Sequence, residues 1–235
     1  METEWEDRAA GGLLPAITSL EKYEVAYTKG LGRLRKELSR MPAPITSADD
    51  LKALHKTLFD EVAPWAGTFH WKQHLIGGRP GSDPDMRDGE LDLLAAQMGE
   101  LAREETTEAN VIRIATFYHA RLVGAHIFPD GNGRLTRTLL NHYLETRLSR
   151  PPTKPLEKRS YLDALKQTLD TEDLAPLGTL LAEAWEAKLE RGQSKSPFRL
   201  TPLQIEPNGK SWLETTRRPR PDWFKEKRKE APTIT

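Results

Sequence analysis

The chain has 235 residues, enough for one sizeable hydrophobic core with appendages. Lysine plus arginine equals aspartate plus glutamate, 35 each, so charge gives no argument for a nucleic-acid binder beyond a local basic patch. There is no cysteine, which excludes a disulfide framework, a thiolate metal site and a cysteine nucleophile, and fits a reducing compartment.

The N-terminal "METEWEDRAAGGLLPAITS" is acidic and lacks the apolar block of a secretory leader. No run approaches the roughly 20 apolar residues that cross a bilayer, so a soluble cytoplasmic protein with no membrane contact is expected. After a loose lead-in of about fifteen residues, "AITSLEKYEVAYTKGLGRLRKEL" predicts a helix. Thr18 or Ser19 can cap it, and Leu20, Tyr23, Val25, Tyr27 and Leu31 give it an imperfect apolar face. "MPAPITS" breaks the pattern. "TSADDLKALHKTLFDEVAPWAG" predicts a second helix with Leu51, Leu54, Leu58 and Val62 on one face and Pro64 near its end. Residues 68–85, "TFHWKQHLIGGRPGSDPD", change character. Thr68, Phe69, Trp71 and Ile76 favour strand and "GGRPGSDP" favours turns, so a short hairpin flap is expected, with a plain surface turn as the alternative.

"GELDLLAAQMGELAREE" predicts a helix again. "TEANVIRIATFYHARLVGAH" predicts a buried one, with Val111, Ile112, Ala115, Tyr118, His119 and Leu122 on a face that Phe117 and Val123 widen. "NGRLTRTLLNHYLETRL" predicts another, carrying Leu135, Leu139, Leu140, Tyr143 and Leu144. "SYLDALKQTLD" and "APLGTLLAEAWEAKLERG" follow as helices. From residue 193 the chain is polar, basic and proline-rich, and an extended tail is expected. The whole predicts an all-α domain with one small β element.

Between the two strongest helices lies "GAHIFPDGNGRLTR", residues 124–137. A glycine-rich turn, a helix N-terminus and two guanidiniums each favour an anion, and together they suit a polyphosphate. Gly131 and Gly133 let backbone approach it without a Cβ, and Asn132 tolerates a left-handed conformation and can add a contact. Arg134 and Arg137, three apart, share a helix face. Asp130 is a hard oxygen ligand suited to Mg²⁺ bridging phosphates. A neutral His126 can take a proton from an incoming hydroxyl. Phe128 has no chemistry to offer and is assigned to anchoring the loop. A merely well-capped connection explains Gly-Asn-Gly alone, but not the joint spacing of the full set.

"HIFPDGNGRLTR" resembles the Fic-family signature His-x-Phe-x-Asp/Glu-Gly-Asn-Gly-Arg-x-x-Arg, with every fixed position filled. "LHKTLFDEVAPWAGTFH" is similar to the family's segment before its flap, and "FYHARLVGAH" to the helix that delivers the histidine. The similarity covers roughly residues 45–190. "GGLLPAITSLEKYE" resembles a bacterial subgroup called mobile mystery protein B. The resemblance implies a Fic-type helical bundle with a small β-hairpin flap beside the active-site loop. It implies residues 1–44 as an N-terminal helical extension, 45–192 as the catalytic domain and 193–235 as a tail.

It also implies a protein adenylyltransferase using ATP and Mg²⁺, in which a Tyr, Thr or Ser hydroxyl of a target attacks the α-phosphate and pyrophosphate leaves. His126 would then be the general base and Asp130 the Mg²⁺ ligand. Asn132 and the backbone of Gly131 and Gly133 would bind the α- and β-phosphates, Arg134 the β-phosphate and Arg137 the γ-phosphate. The flap, roughly Phe69–Asp85, would hold the target by strand addition. Transfer of UMP or a phosphoryl group, and a binding module without turnover, stay open, although pure binding needs no base at His126.

Many members carry an inhibitory Ser/Thr-x-x-x-Glu-Gly/Asn helix whose glutamate pairs with the second arginine. Thr57–Glu61 and Thr179–Glu183 have the spacing, but Val62 and Ala184 follow. Glu24 is a candidate substitute without the preceding hydroxyl. A separate antitoxin, no regulation at all, and a homo-oligomer stay open. His119 and His126 invite a metal reading, but no third ligand is evident and a packed His119 is favoured. His70 and His74 read as flap polarity and His142 as a partly buried helix residue. The basic "TTRRPRPDWFKEKRKE" reads as a solvated tail rather than a nucleic-acid contact.

Overall fold

The computed structural model describes residues 12–187 except 42, 46, 72, 74, 77–78, 86 and 102–106. These belong to one unit of the chain, Met1–Leu200. The expected tail from residue 193 lies outside the described residues, as does the lead-in before residue 12.

Local signals set the helix starts. Helix α1 (Leu20–Leu38) begins where the Ser19 hydroxyl accepts from the Lys22 N–H, and α2 (Ala48–Phe59) where Ser47 accepts from Asp50 N–H. Helix α3 spans Arg87–Leu101. Thr107 caps α4 (Glu108–Ala125) through Asn110 N–H. Helix α5 (Asn132–Leu148) starts differently, on a left-handed Gly131 with no side-chain cap. Glu157 opens α6 (Lys158–Thr171) by accepting from two backbone N–H groups, and α7 spans Ala175–Trp185 with a proline in its first turn.

The β element is small. Strands β1 (Leu75–Ile76) and β2 (Arg79–Pro80) pair antiparallel, Leu75 opposite Pro80 and Ile76 opposite Arg79. Thr68, Phe69 and Trp71 lie outside these strands. Three other expectations need correction. The second helix stops at Phe59, short of Pro64, and Val62 is buried on the turn beyond it. Val25 is 52% exposed, because α1 packs through Tyr23, Ala26, Gly30 and Leu34 instead. Helix α7 ends at Trp185, where Glu186 turns left-handed, rather than running to Gly192.

Helices α4 and α5 form the centre and pack most extensively on each other. Their direction is antiparallel, since Arg150 just beyond α5 pairs at 2.6 Å with Glu108 at the start of α4. Ile112, Ile114, Ala115, Leu122, Leu139, Leu140 and Leu144 fill the space between them and their neighbours. Each larger side chain of this set contributes roughly 1.5–3 kcal/mol on burial. Helices α6 and α7 pack on each other and on α4, and α1 packs on α2. No helix among the described residues is long and apolar enough to cross a membrane.

Candidate active site

The antiparallel α4–α5 pair puts its connecting loop, residues 126–131, at one end of the bundle. Two left-handed residues frame that loop. His126 (φ 48) ends α4 and Gly131 (φ 79) begins α5. A left-handed conformation costs a side-chain-bearing residue about 1–2 kcal/mol, so His126 needs its surroundings to hold it. Gly131 is doubly constrained, because a Cβ there would sit 2.2 Å from the Phe59 ring.

Asn132 pins the loop. Its Oδ1 accepts from Phe128 N–H at 2.9 Å and its Nδ2 donates to the Phe128 carbonyl at 2.7 Å. The side chain is therefore engaged inside the loop, and its backbone N–H makes no bond within the helix and can face an anion. Arg134 and Leu135 N–H both donate to the Gly131 carbonyl. With no side-chain cap, the first-turn N–H groups of Asn132 and Gly133 remain the donors a helix N-terminus offers outward. Gly133 is exposed, and a Cβ there would meet nothing within 4 Å. The two glycines thus have different reasons: Gly131 answers to the fold, Gly133 to open space in front of the loop.

Phe128, expected as the loop's anchor, is buried, and its main partner was not anticipated. The His55 ring on α2 stacks on it at 3.8 Å between centroids with planes 4° apart. His55 Nδ1 accepts from Gly67 N–H at 2.9 Å, so the proton sits on Nε2, which donates to the Asp130 carbonyl at 3.0 Å. Burial pushes the His55 pKa down to about 4, which keeps this tautomer neutral. A signal for His55 existed in the sequence. It falls on the apolar face set by Leu51, Leu54 and Leu58, and a histidine buried there must find polar partners.

The two arginines share a helix face but turn to different neighbours. Arg134 is enclosed by α1 and α2. Its guanidinium lies 5.5, 5.0 and 4.9 Å from the rings of Tyr23, Tyr27 and Phe59. It donates to the Tyr23 hydroxyl and pairs with Asp130 at 2.6 Å. Burial works against its charge, yet Asp130 and Tyr23 together hold its pKa above the usual arginine value. Arg137 leans the other way, over the Tyr161 ring of α6 at 5.5 Å, and donates to the Gly133 carbonyl. His119 is packed, as expected. Its Nδ1 donates to the Thr136 carbonyl and its Nε2 accepts from the Tyr161 hydroxyl at 2.6 Å, which fixes the ring beneath Arg137. Glu24, the candidate inhibitory glutamate, lies on the exposed side of α1. The Glu61 of the near-miss inhibitory pattern is engaged by Arg33.

Asp130 uses Oδ1 to accept from Gly131 N–H at 2.5 Å and Oδ2 for Arg134, and its side chain is 45% exposed. Carboxylate oxygens carry further lone pairs, so both can still face a cation. Among the described residues no group of three or more His, Asp or Glu could hold a metal on its own.

A histidine ending α4, an uncapped start of α5 and two arginines in the first turns of α5 thus meet at one end of the central helix pair. Residues 45–144 match the Fic/DOC family. It is 31% identical over 145 residues to a protein adenylyltransferase Fic from Culex quinquefasciatus, covering 60% of this chain and 28% of that one. It is 30% identical over 146 residues to the protein adenylyltransferase fic-1 of Caenorhabditis briggsae, covering 62% and 28%. The chain therefore spans under a third of the length of these relatives. Among solved structures it is similar to the BepC protein of Bartonella tribocorum with bound AMPPNP, at TM-score 0.58, 17% identity and 72% and 88% coverage. A Fic-1 fragment from C. elegans gives TM-score 0.59, 24% identity and 76% and 52% coverage. These likenesses show the fold.

Proposed function

We propose that the chain is a protein adenylyltransferase, moving AMP from ATP to a Tyr, Thr or Ser hydroxyl of a target protein. The observation that carries this is the pairing, on one six-residue loop, of a histidine at the end of α4 with an uncapped helix start at Gly131. Phosphoryl chemistry asks the protein mainly for positioning and charge neutralisation, and the loop offers both. The adenylyltransferase names of relatives at about 30% identity and the AMPPNP in one structural neighbour support the same reading.

In this reading His126 accepts the proton of the target hydroxyl as its oxygen attacks the α-phosphorus. The bond from that phosphorus to the bridging oxygen breaks and pyrophosphate leaves. The N–H groups of Asn132 and Gly133 take the phosphate oxygens between them. Arg134 stiffens the loop through Asp130 and presents its remaining edge, and Arg137 lifts from Tyr161 to the γ-phosphate. Asp130 would hold Mg²⁺, which when bound offsets triphosphate charge. The flap around β1 and β2 would take an extended target segment as an added strand. The domain runs over residues 45–192, with residues 1–44 as an extension, and Glu24 or a separate antitoxin remains the proposed source of inhibition.

Incubation with α-labelled ATP, γ-labelled ATP or α-labelled UTP, each with Mg²⁺ and cell lysate, tests the reading. Label from the α position, lost in His126→Ala, is the expected result. Label from the γ position only would make it a phosphoryl transferase, α-label from UTP alone a UMP transferase, and nucleotide binding without transfer a binding module.

A further inference from the structure

The flap grips the chain on both sides of His126. His70 N–H donates to the Ile127 carbonyl and Ser82 N–H donates to the Ala125 carbonyl, both at 2.8 Å. One foot of the flap thus holds the residue after His126 and the other foot the residue before it. Between these two bonds sits the left-handed His126, the conformation that most needs holding. Gln73 Nε2 donates across the flap to the Gly81 carbonyl at 2.7 Å, so the two sides are tied above the feet.

The Ser82 foot is itself built in. Ser82 is 6% exposed. Its hydroxyl donates to Glu90 on α3, and its carbonyl accepts from Arg87 Nη2 at 3.3 Å. Arg87 is 1% exposed, a large charge to bury for a surface turn. Glu90, Asp83 and Arg87 lie close enough to influence one another's charge, with Arg121 of α4 near Glu90. A turn that only connected β2 to α3 would need none of this.

We propose that Ser82 is a positioning residue for His126. Glu90 and Arg87 fix Ser82, Ser82 fixes the Ala125 carbonyl, and the paired bond from His70 closes the splint. The inference rests on the reading of His126 as the base, and it gives the flap a second task beside holding a target. Strain or order at the docking edge is then transmitted to the base through two backbone bonds.

The test uses the full chain. Ser82→Pro removes the N–H donor, while Ser82→Ala and Glu90→Ala remove only the support behind it. His126 ring signals are followed by NMR through a pH titration and assigned by their loss in His126→Ala. Binding of AMPPNP with Mg²⁺ and the initial rate of α-label transfer into lysate protein are measured alongside. The expected result is a shifted or broadened His126 signal in all three variants, with His119 and His142 unmoved. Transfer should fall roughly 10- to 100-fold in Ser82→Pro, as misplacement by about an ångström does, with AMPPNP affinity within about twofold. Ser82→Thr, which keeps the hydroxyl, should recover most of the loss seen in Ser82→Ala. If Ser82→Pro does not fold, as its melting will tell, the two alanine variants carry the test. A His126 signal and transfer rate unchanged in Glu90→Ala and Ser82→Ala would overturn the proposal. Full transfer in His126→Ala would instead overturn the base reading beneath it.

Discussion

Individual side chains around the loop divide into those that hold it and those free to meet a ligand, and substitutions should separate the two. Asn132→Ala strips both bonds from the Phe128 backbone in a buried place, so a loss of about 2–4 kcal/mol in unfolding free energy is expected, with activity lost alongside. Denaturant unfolding measures it. Gly133→Ala should do the reverse. A Cβ there meets no protein atom, so melting should hold or rise slightly while affinity for AMPPNP drops, by calorimetry. Unchanged affinity in that variant would remove Gly133 from the phosphate site. Arg137→Ala deletes a charge whose protein contacts are the Tyr161 ring face and the Gly133 carbonyl. It should weaken triphosphate binding by about 1.5–3 kcal/mol and leave AMP binding nearly untouched. Equal loss for AMP would contradict the γ-phosphate role.

At the scale of elements, much was legible and the misses have physical causes. The motif helices α4 and α5 follow from their apolar faces, and their loop from its glycines. The hairpin region announced a change of character, but Thr68, Phe69 and Trp71 fall outside the strands although they favour β structure. Phe69 is used against Phe128 and beneath Lys52 instead. Tertiary packing overrode propensity there. The enclosure of Arg134 was invisible for another reason. Tyr23 lies 111 residues away, and no local pattern links them. The close contact of α1 with α2 that makes it possible depends on Gly30, where a Cβ would sit 2.1 Å from the Leu58 carbonyl oxygen. Gly30→Ala should cost about 1–3 kcal/mol and part Tyr23 and Tyr27 from Arg134. A melting curve with a loss of near-ultraviolet tyrosine dichroism reads both effects.

For the whole molecule, pH acts on stability in part through two histidines that are both fully buried. Burial lowers His55 and His119 from about 6.5 to about 4. Between those values the unfolded chain binds more protons than the folded one. Their contribution is therefore complete above about pH 6.5 and is lost as pH falls toward 4. Each can impose a slope of up to about 1.4 kcal/mol per pH unit in that window. Melting should fall clearly between pH 6.5 and pH 4.5, and His119→Asn should lessen the slope. His55 and His119 ring signals that titrated near pH 6.5 would show that neither histidine is held neutral.

Where the chain can be cut follows from Arg134. The family match begins at Ile45, and a fragment started there would contain every residue of the motif. It would lack Tyr23 and Tyr27, leaving Arg134 with one aromatic wall of three and Asp130 facing a loosened partner. Such a fragment would be complete by its signature and unfinished by its packing. Anyone trimming this protein to its minimal catalytic piece should keep the first helix.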